Sequence, residues 1–319
     1  MTRFLITLAV GTAAIMGYLS FNVLFLIWLE RKVSAHIQRR LGPMEVGSHG
    51  SLQTVADMFK LLGKQILTPL ATDRFVYILA PVLVFLPTLC LASLIPVSGA
   101  EAFADQPYGL LVIIALSGIS VLSIFMAGWA SNNKYAVLGG MRSVAQVVAY
   151  EIPVLLAALS VVLITGSLNL RDIVAAQHTL PFFIIQPVAG ILYFIGITAE
   201  TNRAPFDIPE AESELVGGFH TEYSGMRFAL FFFAEYTNML VLGALGATLF
   251  LGGWLGPWLP GPVWLLLKAY AVIFVMMWAR WTFPRLRFDQ LMSFAWKLLI
   301  PVALVNLVIT AVLLAGRIQ

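Results

Sequence analysis

Eight runs of apolar residues, each long enough to cross a bilayer as a helix, dominate this chain and leave few folds open to it. They cover residues 4–29, 76–96, 108–129, 144–164, 180–197, 228–251, 263–278 and 298–315. A helix rises about 1.5 Å per residue, so some twenty apolar residues match the ~30 Å of hydrocarbon in a membrane. A soluble core does not need this much apolar surface: 60% of the 319 residues are hydrophobic, 11% are charged, and mean hydropathy is +0.90. The sequence therefore predicts an all-α, polytopic membrane protein with eight transmembrane helices, organised as one integral membrane domain over 1–319. The first run has no small-residue cleavage site before Glu30-Arg31-Lys32 and reads as a retained span rather than a signal peptide.

The cations give the orientation. Of the 19 Lys and Arg residues, all but Arg3, Arg171, Lys268 and Arg317 fall in the loops after runs one, three, five and seven. Cationic loops stay in the cytoplasm, which places both termini on the opposite, periplasmic side. The net charge of +3 reflects this asymmetry and gives no reason to expect nucleic acid. The first cytoplasmic loop breaks at Gly42-Pro43 and then repeats Leu52, Val55, Ala56, Phe59, Leu62 and Ile66 at helical spacing, with Gln53, Asp57, Lys60 and Lys64 opposite. That pattern predicts an amphipathic helix on the membrane surface or under a docked subunit.

What is missing also narrows the function. Cys90 is alone, so it can form no intrachain disulfide and cannot hold an iron–sulfur cluster; its ordinary role is that of a small buried apolar residue. His36, His49, His178 and His220 all fall in expected loops, which leaves no pair to clamp a haem. No phosphate-cradling loop or dinucleotide fingerprint is present, so the chain is expected to bind no cofactor and to depend on partners or an ion gradient for energy.

Acidic residues carry the functional signal. Glu200, Asp207, Glu210, Glu212, Glu214 and Glu222 crowd one cytoplasmic loop, where Pro205 and Pro209 are expected to hold the chain extended. Glu151 and Glu235 sit inside runs four and six, nine residues beyond Arg142 and eight beyond Arg227. Both then lie roughly 12–14 Å deep, and paired acids at one depth suit a proton relay because burial disfavours their charged forms. The competing explanations are a structural hydrogen bond, with Asn238 as local partner, or an ion pair with Lys268. Lys268 could equally snorkel outward. Pro153 would free the Ala149 carbonyl beside Glu151 and admit water. Arg280, Arg285 and Arg287 in the last cytoplasmic loop are placed to pair with the acidic loop or a docked subunit.

These segments together resemble one family. Glu30-Arg31-Lys32 leads to Gln38-Arg39-Arg40-Leu41-Gly42-Pro43, then Gly50 through Ala56-Asp57 to Lys60-Leu61. Gly128-Trp129-Ala130-Ser131-Asn132 precedes Lys134-Tyr135-Ala136, and Arg142-Ser143-Val144-Ala145-Gln146 runs to Tyr150-Glu151. The acidic loop, Glu235-Tyr236-Thr237-Asn238 and Pro284-Arg285 through Asp289-Gln290-Leu291-Met292 to Trp296-Lys297 complete the set. In collinear order over nearly the whole chain, they are similar to the H subunit (mitochondrial subunit 1) of proton-pumping NADH:quinone oxidoreductase, respiratory complex I. Ala211 stands where that family's wording has glycine.

The resemblance implies a subunit at the junction with a peripheral arm, whose partner subunits carry the flavin and iron–sulfur clusters. Quinone, the substrate, would reach those clusters through this subunit. Glu151, Glu235, Glu200, Asp207, Glu210, Glu212, Glu214 and Glu222 would form a charged path toward the other membrane subunits. Arg39, Asp57, Arg203, Phe206, Phe219, Arg280, Arg285 and Arg287 would shape the quinone channel or organise the loops. The expected setting is a bacterial inner membrane, among membrane lipid. The alternatives are the membrane subunit of an energy-converting hydrogenase and, more distantly, a stand-alone cation/proton antiporter. Against the antiporter, no inverted repeat is evident.

Overall fold

A computed structural model describes residues 2–99, 106–209 and 215–318. The described residues contain helices and turns and no strand. Seven helices are long and apolar enough to cross a membrane, and the protein is a multi-pass membrane protein. In chain order the helices are α1 (Thr2–Ile37), α2 (Gln53–Gly63), α3 (Arg74–Leu94), α4 (Gly109–Ala130), α5 (Lys134–Thr165), α6 (Leu170–Ala176), α7 (Phe182–Ile185), α8 (Pro187–Glu200), α9 (Gly225–Phe250), α10 (Gly261–Thr282), α11 (Phe288–Phe294) and α12 (Ile300–Ile318).

Local chemistry sets many of the boundaries. Asp73 and Asn133 cap α3 and α5, accepting from the backbone N–H of Val76 at 3.5 Å and Tyr135 at 2.9 Å. Gly166, left-handed at φ 69°, ends α5. The helix continues without interruption through the buried Pro153. The last span begins earlier than the apolar run, at α11, and joins α12 through a π turn at Ala295–Leu299. Pro301 has no N–H to offer the preceding turn, which relaxes the register there.

Four expectations are corrected. The run at 180–197 is divided, because Pro187 cannot continue a helix from Phe182–Ile185; α8 has 14 residues, about 21 Å, and is shorter than the seven long apolar helices. Cys90 is exposed on α3 rather than buried. His36 lies in the last turn of α1, because that helix extends well past residue 29. In the first loop, α2 stops at Gly63, and Lys64 is already extended, so Ile66 lies beyond the helix.

α5 and α9 form the centre. α5 packs against α4, α8 and α12, and α9 against α3 and α10. Close approach depends on small residues: a Cβ on Gly139 would stand 2.9 Å from the backbone of Gly218 and Phe219. Gly139→Val is expected to displace that loop and destabilise the fold by about 1–3 kcal/mol. The check is the thermal unfolding midpoint of the detergent-solubilised assembly, with Val at the uncrowded Gly63 as control; equal midpoints would refute the contact.

Candidate functional site

The helix α1 runs two turns beyond its apolar stretch, and this carries Glu30 into the protein interior. There it accepts hydrogen bonds from Tyr236 Oη at 2.7 Å, from Arg203 Nη1 at 3.2 Å and from Arg280 Nη1. The second arm of Arg203 reaches Glu235 Oε1 at 2.9 Å, and its guanidinium lies 4.5 Å from the centre of the Tyr236 ring. Two carboxylates and two guanidiniums from α1, the loop after α8, α9 and α10 thus close one neutral cluster. Arg suits this position because its planar fork serves two carboxylates while its face stacks on an aromatic ring. The side chains of Arg203 and Glu30 are 8% and 9% exposed, so each charge depends on the others for compensation.

Lys268 is not part of this cluster. Its Nζ donates to the carbonyls of Gly253 at 3.0 Å and Leu255 at 2.7 Å, tying down the turn after α9.

Beside Glu235 a small cavity of about 60 Å³ is lined by Glu200, Asn202, His220, Ser120 and Asn238, among others. These polar groups share its wall with apolar side chains such as Phe219, Phe231 and Phe232, and it has room for a few waters. Asn238 therefore shares the cavity with Glu235. Glu151 faces α4 rather than Glu235: Ser117 Oγ stands 3.5 Å from its Oε1. Glu200 lines the same cavity as Glu235, and Arg203 joins Glu235 to Glu30. In the loop, burial pushes the His220 imidazole below its ordinary value, against the pull of Glu235 and Asp207.

A larger cleft of about 540 Å³ lies between α1, α2 and α9. Met16, Val23, Leu24, Ile27, Met58, Phe228, Phe232 and Phe233 make most of its wall, and Arg31, Asp57 and Lys60 its polar part. Arg31 Nη1 donates to Asp57 Oδ2 at 2.7 Å, and Gln53 Nε2 to Asp57 Oδ1 at 3.3 Å. Desolvation works against the Asp57 carboxylate, but Arg31 outweighs it and holds its pKa below the usual carboxylate range. A lowered value means this tie between α1 and α2 is present at neutral pH and weakens as pH falls through it.

The early part of the acidic loop, around Pro205, is folded back and not extended. Arg203 N–H returns to Thr198 O at 3.2 Å, Phe206 N–H to Arg203 O at 2.9 Å, and Leu286 N–H on the last cytoplasmic loop donates to Pro205 O at 3.1 Å. Gln146 on α5 holds the turn from within, donating to Ala199 O at 2.8 Å and Phe206 O at 2.7 Å. Pro205 and Pro209 prevent a helix there, and these backbone bonds fold the segment back on the core. Phe206 packs on Tyr150, and Phe219 on Phe231. Asp207 lies 3.7 Å from Arg285, and Glu222 accepts from Asn133 Nδ2 at 2.6 Å. Arg39 is exposed just past α1, and Arg287 pairs with Asp289 at 3.8 Å on the surface, away from the cluster. Glu210, Glu212 and Glu214 lie outside the described residues. Among the described residues no group of His, Cys, Asp and Glu is arranged to hold a metal ion.

Glu30, Tyr236, Gln146 and Asn133 join the site without having been expected there. Glu30 alone carries a usable signal in the sequence, a carboxylate directly abutting an apolar run with no acidic neighbour.

The family profile described as NADH dehydrogenase matches residues 10–311. The chain is 52% identical over 309 residues to the NADH-quinone oxidoreductase H subunit of Geobacillus kaustophilus, covering 95% of this chain and 91% of that protein. It is 49% identical over 311 residues to the H subunit of Carboxydothermus hydrogenoformans, covering 96% and 88%, and 47% identical over 311 residues to that of Dehalococcoides mccartyi, covering 98% and 88%. The chain belongs to the family of NADH-quinone oxidoreductase H subunits.

Proposed function

We propose that this chain forms the quinone access channel of a proton-pumping NADH:quinone oxidoreductase and couples quinone reduction to proton movement through its buried acids. The observation that carries this reading is a shared wall. Ile27 and Arg31 on α1, with Phe232 and Phe233 on α9, line the apolar cleft; Glu30, Glu235 and Tyr236, on the same turns, build the charged cluster behind it. An isoprenoid tail suits a cleft of this volume and apolarity, and the Arg31–Asp57 pair gives its inner part polarity for a quinone head. A quinone arriving there alters charge within a helix width of Glu30.

In this reading α8 is an eighth, shortened crossing, and α2 lies on the cytoplasmic surface with Phe59 and Leu62 facing outward. Both termini are periplasmic in a bacterial inner membrane, and 1–319 is one integral membrane unit. The cytoplasmic loops dock the quinone-module subunits of the peripheral arm, which hold the flavin and iron–sulfur clusters. Other membrane subunits receive the coupling signal. The chain contributes no redox centre and has no activity alone.

Filling the cleft tests the reading. Ala229 lines it, and Ala229→Trp is expected to raise the KM for a long-chain quinone about tenfold or more, since overpacking there costs about 1–3 kcal/mol. NADH oxidation with a soluble artificial acceptor should not change, because that electron path stops in the peripheral arm. An unaltered quinone KM in an assembled variant would remove the cleft from the quinone path.

A further inference from the structure

On the other side of α1 from the quinone cleft, a second hollow of about 600 Å³ opens between the cytoplasmic ends of α1 and α10. Lys32, Val33, His36 and Ile37 form one wall, Phe274 and Trp278 the other. We infer that this hollow binds an anionic phospholipid of the cytoplasmic leaflet, its acyl chain on Phe274 and Trp278, its phosphate on Lys32 and a headgroup hydroxyl on His36.

The charges favour that occupant. Lys32 and His36 are one helical turn apart, so both side chains serve the same patch of surface. No described carboxylate lies within ion-pairing distance of Lys32; its Nζ has only the Leu41 carbonyl at 3.5 Å and the Met44 sulfur at 3.2 Å, weak partners that a phosphate would outcompete. His36 Nδ1 stands 2.8 Å from the Lys32 carbonyl, which can only accept, so Nδ1 carries the hydrogen and Nε2, an acceptor in that tautomer, is left for a hydroxyl of the headgroup. Exposed Arg39 and Arg40 follow within a turn's length of chain, adding positive potential around the mouth.

Depth and shape agree. Ile37, Phe274 and Trp278 are 40%, 47% and 57% exposed, forming an apolar floor directly below the cations. Trp281 and Phe283 continue the aromatic band at the level where bilayer headgroups begin. Basic hollows between spans at the cytoplasmic face are the sites that anionic headgroups fit, whereas a zwitterionic lipid would bring a cation to meet Lys32. An apolar helix of a partner subunit would cover the floor and leave Lys32 without a counter-charge.

The test uses the intact assembly in phosphatidylcholine nanodiscs, probed with phosphatidylglycerol bearing a photoreactive group in its acyl chain. Cross-links are expected on the α10 peptide containing Phe274 and Trp278, displaced by unlabelled phosphatidylglycerol and not by added phosphatidylcholine or inorganic phosphate. Lys32→Gln should reduce occupancy roughly fivefold and Lys32→Arg should retain it, as expected for one surface cation near an anionic headgroup. Should Lys32→Gln fail to assemble, His36→Leu, which removes the headgroup acceptor, is expected to lower occupancy as well. Equal displacement by phosphatidylcholine, displacement by phosphate alone, or labelling confined to a partner subunit's helix would each overturn the assignment.

Discussion

Glu30→Ala is expected to destabilise the protein by about 3–5 kcal/mol, the loss typical of breaking a buried ion pair from one side. The carboxylate is the meeting point of Arg203, Arg280 and Tyr236, and removing it leaves the half-buried Arg280 without a carboxylate, while the buried Arg203 keeps Glu235 alone. The effect is large because the buried Arg203 loses one of its two carboxylates and the Tyr236 hydroxyl its acceptor, and neither regains water. Glu30→Gln should fall less far, since its amide oxygen can still accept from Tyr236. The measurement is the thermal midpoint of the purified assembly, together with the amount of chain recovered in membranes. A double variant, Glu30→Gln with Arg280→Gln, restores neutrality and should recover part of the loss. Arg280 is the better choice for this rescue, because Arg203 also serves Glu235. Strict additivity of the two single effects would mean that Glu30 and Arg280 are not coupled.

That cluster marks the boundary of what the sequence made legible. Long apolar runs separated by cationic loops specify a helical membrane protein, because in hydrocarbon a helix satisfies its own backbone. The buried acids Glu151 and Glu235 stood out for the same reason: a charge in an apolar run needs an explanation. Their partners did not. Arg203 lies 173 residues from Glu30, and its loop reads as a solvated acidic stretch until Gln146 and Leu286 are seen to fold it inward. Equal depth suggested that Glu151 and Glu235 form a pair, but depth says nothing about azimuth, and Glu151 turns toward Ser117 on α4. Length was misleading at 180–197, where Gln186-Pro187 breaks an otherwise apolar run. Lys268 and Glu235 have opposite charges, yet Lys268 is engaged at the far end of α9 with backbone carbonyls.

Glu235→Gln should separate electron transfer from proton movement. Glu235 has two neighbours of opposite kind: Arg203, which ties it to Glu30, and the cavity shared with Glu200 and His220. A carboxylate so placed can sense charge on the side of the proposed quinone cleft and pass a proton to water on the other; an amide of the same shape can do neither. Proton translocation in proteoliposomes is expected to fall by about 10²-fold, the lower end of what a positioned proton donor contributes. NADH oxidation with an artificial acceptor should be unchanged. Because the substitution also leaves Arg203 with one carboxylate instead of two, some loss of thermal stability accompanies it. Glu235→Asp separates the two effects. It keeps the charge but shortens the reach by one methylene, so it should restore pumping more fully than it restores stability. Full pumping by an assembled Glu235→Gln protein would take Glu235 out of the proton path and leave it a structural counter-ion for Arg203.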